Sequence, residues 1–92
     1  MYAVTRNNQN MISEPNVFNT LAEAKENARS IIAEERDMPA DEVLYTYKAW
    51  ENISRVTKKM LQHARPYGIV LGVFTTDSEH DLGQALTLSL ID

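Results

Sequence analysis

Lys48-Ala49-Trp50-Glu51-Asn52-Ile53-Ser54-Arg55-Val56-Thr57-Lys58-Lys59-Met60-Leu61-Gln62-His63-Ala64-Arg65 is the stretch on which the fold turns. At about 100° per residue, Trp50, Ile53, Thr57, Met60, Leu61 and Ala64 fall on one side of a helical cylinder. Lys48, Arg55, Lys58, Lys59, Gln62 and Arg65 fall on the other. Such sorting predicts a helix whose apolar side covers a core and whose outer side is basic. Asn52 or Ser54 can cap it, and Pro66 and Gly68 stop it near Arg65.

Upstream, Thr20-Leu21-Ala22-Glu23 is a capping-box pattern, with a hydroxyl placed to accept from the backbone N–H three residues on. The helix it opens puts Leu21, Ala24, Ala28, Ile31 and Ile32 on one face. Glu23, Glu26, Ser30, Glu34 and Asp37 lie opposite, with Lys25, Arg29 and Arg36 along one border. It runs to about Asp37, before Pro39 interrupts it.

Strands are expected around these helices. Tyr2-Ala3-Val4-Thr5, the polar Asn7–Asn10 cluster and Met11-Ile12-Ser13 read as a hairpin, with Pro15 ending its second strand or marking an edge. Val17 and Phe18 are expected to cover the core. Val43–Ala49 alternates and is rich in β-branched and aromatic residues, so it reads as a strand. Its rival is one long helix starting at Pro39, which would place Leu44 and Tyr47 on the charged side of the later helix. Tyr67–Thr75 reads as a buried strand from its continuous apolar run, Asp77–Asp81 is a polar loop, and Gln84–Ile91 alternates with Leu86, Leu88 and Leu90 on one face. The last two runs form an antiparallel hairpin.

The expected order is ββαβαββ. The economical fold is a single α+β domain over residues 1–92, with two layers. One layer is a mostly antiparallel sheet of about five strands; the other is two helices on one face. Ninety-two residues bound the chain to one domain with a thin core. Without cysteine, neither disulfides nor a thiolate zinc site can supplement that core. No apolar leader or membrane-length run is visible, so a cytoplasmic setting without membrane contact is expected.

Charge is more informative in its distribution than in its total of −4. Residues 1–47 hold four basic and eight acidic groups, residues 48–65 five basic groups and Glu51, and residues 66–92 four acids and no Lys or Arg. The chain is bipolar, and opposite segments of two copies can pair, which makes a homodimer possible.

Catalytic motifs are wanting. The glycines Gly68, Gly72 and Gly83 fit no phosphate-loop spacing. Ser78, His80 and Asp81 crowd one turn, where the separate, rigid placements of a nucleophilic triad are not achieved. Asp77, Glu79, His80 and Asp81 lack the spacing of a calcium loop. No enzyme, cofactor or metal site is therefore expected.

Two surfaces remain. The acidic face Glu23, Glu26, Glu34 and Asp37, about 20 Å long at 1.5 Å per residue, suits a basic surface on a partner protein. On that reading the chain is a small non-enzymatic protein-binding module, an inhibitor or accessory factor of the phage or mobile-element type. The alternative is nucleic-acid binding through Arg55, Lys58, Lys59 and Arg65. The ordinary account of either face is a solvated helix exterior.

Overall fold

The computed structural model describes residues 1–7, 14–36, 52–74 and 84–91. Among them the chain forms strand β1 (Tyr2–Asn7), strand β2 (Asn16–Phe18) and helix α1 (Leu21–Arg36). A single 3-10 turn (Ile53–Arg55), helix α2 (Lys58–Ala64), strand β3 (Ile69–Phe74) and strand β4 (Gln84–Leu90) follow. The four strands make one antiparallel sheet in the order β2-β1-β4-β3. The α+β expectation holds, with four strands described where about five were expected. The fifth, Val43–Ala49, and its long-helix rival lie outside the described residues, as do Trp50, the Met11–Ser13 strand and the Asp77–Asp81 loop.

Register explains which side chains face inward. Tyr2 pairs with Phe18 and Leu90, Val4 with Leu88, and Ile69 with Leu88 in turn, so these residues share one face. That face carries the core: Tyr2, Val4, Leu86 and Leu88 meet Ala24, Ala28, Ile31 and Ile32 of α1, Ile53 and Val56, and Leu61 of α2. The alternation Leu86, Leu88, Leu90 thus points inward as its spacing implied. A register shift between Val70 and Gly72 marks a bulge, and Leu71 at that bulge is fully buried. Each large aliphatic side chain taken from water here contributes about 1.5–3 kcal/mol.

Among the described residues β1 has a partner on this side that the sequence pattern did not mark as a strand. Asn16–Phe18, after Pro15, pairs with β1, so Pro15 precedes the strand and sacrifices no ladder bond within it. Within β2, Phe18 packs against the core while Val17 is exposed, as strand alternation dictates. The expectation that both cover the core is corrected for Val17.

Helix α1 follows its sequence pattern closely. Thr20 Oγ1 accepts from the Glu23 backbone N–H at 3.2 Å and donates its own proton to Glu23 Oε1 at 2.8 Å. Ala24 and Ala28 are fully buried, and their small side chains let the helix lie close to the sheet.

The basic stretch departs from one continuous helix. Asn52 caps only the 3-10 turn, its side chain accepting from the Ser54 N–H. Val56 and Thr57 are extended, and Thr57 caps α2 by accepting from the Met60 N–H at 3.2 Å. The break lets Val56 enter the core together with Leu61, at 1% and 0% exposure, which uninterrupted helical geometry would set about 140° apart around the axis. Thr57, expected on the apolar face, is exposed and spends its hydroxyl on the cap.

Beyond α2 the Arg65–Pro66 bond is cis, and the Tyr67 and Gly68 N–H groups both donate to the Ala64 carbonyl. Gly68 has φ +84°, and a Cβ there would lie 2.7 Å from the Leu88 carbonyl oxygen. Only glycine fits this turn into β3.

Candidate functional site

The acidic face survives in part. Glu23, Glu26 and Glu34 are exposed on α1, and Asp37 lies outside the described residues. Glu23 is engaged in the cap. Glu26 sits 3.9 Å from Arg29 Nη1, a long i,i+3 contact with its side chain 69% exposed, worth little in water. Among the described residues Glu34 has no ion pair.

The basic residues are placed by the broken segment. Arg55 is exposed at the end of the 3-10 turn, and Lys58 and Lys59 are exposed as the first two residues of α2. Among the described residues none of these three has a carboxylate within ion-pair reach. Arg65 is exposed at the opposite end of α2, about 10 Å further along at 1.5 Å per residue. His63 is exposed on the same helix, and His80 lies outside the described residues.

The fold adds groups that reading the chain alone assigned no role. Lys25 Nζ donates to the Ser54 carbonyl at 3.3 Å, and Arg29 Nη2 donates to Ser54 Oγ at 2.9 Å. One turn of α1 separates these two cations, and both reach across to the same residue of the 3-10 turn. The ammonium of Lys25 is held below the usual lysine range, first by partial burial and second by the Arg29 charge. The signal in the sequence was their i,i+4 spacing on the border of the apolar face; what they would meet there was not encoded locally. Tyr67, expected to open a buried strand over Tyr67–Thr75, instead precedes β3 and is 86% exposed beyond α2.

The junction of α1 with the 3-10 turn, where Lys25 and Arg29 meet Ser54 beside Arg55, is a donor surface drawn from two segments of the chain; Lys58 and Lys59 follow it in sequence at the start of α2. It presents N–H groups, one hydroxyl and positive charge, a chemistry suited to holding oxyanions. Among the described residues no helix is long and apolar enough to cross a membrane. No protein-family model matches the chain, and no curated protein and no solved structure matches it either.

Proposed function

We propose that this protein is a non-enzymatic binding module that holds the phosphate backbone of a nucleic acid on the basic surface of its helical layer. The observation carrying this reading is the convergence of Lys25 and Arg29 on Ser54, beside Arg55. It turns a basic stripe of one segment into a surface supplied by two. The net charge of −4 opposes long-range attraction to nucleic acid. Screening over about 8 Å at physiological salt leaves the local cations dominant at contact.

Fluorescence anisotropy with labelled single-stranded and duplex oligonucleotides at low salt tests it. Binding is expected to weaken steeply as salt rises. The log–log slope should approach about −4 on duplex DNA if most of the cations engage phosphates. Reversing Arg55, Lys58 and Lys59 to Glu should abolish it. A flat titration with every oligonucleotide at low ionic strength overturns the reading.

A second reading rests on Glu34, exposed and without an ion pair among the described residues, on the same helix face as exposed Glu23 and Glu26. This ridge would dock on a basic surface of a partner protein, with electrostatic steering of the encounter. Affinity capture should then recover one dominant protein, lost when Glu23, Glu26 and Glu34 are changed to Lys. Capture that survives those changes removes the ridge.

A further inference from the structure

We propose that Lys25, Arg29 and Ser54 form a phosphate-binding subsite within the basic surface. It rests on the nucleic-acid reading for the source of the phosphate.

The argument starts from hydrogen-bond valence. Ser54 Oγ already accepts from Arg29 Nη2 at 2.9 Å, so its own proton is directed away from the guanidinium and is a donor. Lys25 Nζ spends one N–H on the Ser54 carbonyl and keeps two. Arg29 keeps further N–H groups, with Glu26 reaching only Nη1, at 3.9 Å. Three kinds of donor therefore meet around one exposed residue. Their mutual contacts are to neutral oxygens, which leave the two positive charges in place.

Two cations share Ser54, and among the described residues the carboxylate in ion-pair range of them is Glu26, at 3.9 Å from Arg29 and largely exposed. The Lys25 ammonium is held below the usual lysine range first by partial burial and second by the Arg29 charge, so an anion here would meet a cation that water solvates incompletely. A tetrahedral oxyanion supplies the negative charge: one oxygen can take the Ser54 proton and others the Lys25 and Arg29 N–H groups, as charge-assisted bonds. Phosphate suits three separate donor groups better than carboxylate because it offers more acceptor oxygens. The backbone of the 3-10 turn is fixed independently, by Asn52 accepting from the Ser54 N–H at 2.9 Å and by buried Ile53. Ser54 is thus presented by a rigid element and not by the ligand itself.

The test has two arms on the full chain. In the first, the ¹H–¹⁵N spectrum is followed during titration with sodium phosphate, against sodium chloride at matched ionic strength. Saturable shifts of the Ser54 amide and the Arg29 side chain with phosphate alone support the subsite. Identical responses to both salts overturn it, since that is only an ionic atmosphere. In the second arm, Ser54→Ala and Arg29→Lys are compared with wild type for oligonucleotide binding. Each loses a donor while keeping the turn or the charge, and each should weaken binding about three- to tenfold.

Unchanged spectral dispersion shows that the variants fold; Asn27→Ala, on the same helix, serves as a neighbour expected to leave affinity unaltered. If oligonucleotide binding depends on Arg55, Lys58 and Lys59 but ignores both variants, this subsite falls and the nucleic-acid reading stands. If phosphate shifts Ser54 and Arg29 while no oligonucleotide binds, the subsite stands and the nucleic-acid reading falls.

Discussion

Helix α1 and the segment Ile53–Ala64 carry apolar spacings of similar regularity, yet only one of them becomes a continuous helix. In α1 the spacing, the cap and the helix-forming residues agree: Thr20 starts it, and Ala24, Ala28, Ile31 and Ile32 all reach the core. In the second segment the apolar side chains also reach the core, but through a 3-10 turn, an extended pair and a seven-residue helix. The difference shows what periodicity reports. It identifies the residues that must be buried and leaves the backbone path between them open. Where a β-branched residue and a capping threonine stand in succession, as Val56 and Thr57 do, the cap decides where the helix begins.

The largest test of that comparison truncates one isoleucine in each region. Ile32 and Ile53 are both fully buried, one in a long helix and one in a 3-10 turn. If burial and not helicity determines their worth, Ile32→Ala and Ile53→Ala each cost about 2–5 kcal/mol in urea unfolding. A loss below about 1 kcal/mol for Ile53→Ala, against a full loss for Ile32→Ala, would separate the turn from the core.

A smaller effect is expected at the caps. Thr20→Ala and Thr57→Ala each remove a hydroxyl that accepts a backbone N–H at 3.2 Å, costing about 1 kcal/mol. The two sites differ in what lies upstream. Alanine at 57 also favours helix, so the variant sets the lost cap against continuation from Ile53. Destabilisation with unchanged ellipticity at 222 nm keeps the break. A stabilised variant with more helix would show that the Thr57 cap alone holds the two pieces apart.

What could be read from the chain divides along the same line. The core face of α1, the capping box, the inward face of Leu86, Leu88 and Leu90 and the final hairpin were legible because each depends on neighbours within a few residues. In the second segment the burial of Ile53 and Leu61 was legible, and that of Val56 and the exposure of Thr57 were not. The strand after Pro15 was not legible because a three-residue strand carries too little pattern to mark itself. The site was legible as charge and not as geometry. Arg55, Lys58 and Lys59 stood out as a basic run, whereas the meeting of Lys25 and Arg29 with Ser54 spans more than 20 positions and depends on how two elements pack.

The smallest and most local effect concerns that meeting directly. Because Lys25 titrates lower in the folded chain, the unfolded chain binds more protons in the alkaline window between the folded and unfolded pKa values. Stability from this group therefore rises with pH through that window, and the penalty for carrying the charge is in full force below it. The group is too exposed for the slope to be large, so its own titration is the better readout. Following the Lys25 ¹³Cε shift with pH, Arg29→Gln should move the midpoint upward without reaching the usual lysine value. Burial, the first cause of the depression, persists after Arg29's charge is gone. Added salt should raise the wild-type midpoint in the same direction by screening the Arg29 charge, and should do less in the variant. A midpoint indifferent to both changes would mean that the two cations do not approach each other in solution. Helix α1 would then lose its cationic contact with the broken segment, and the surface would revert to a basic stripe from one stretch of chain.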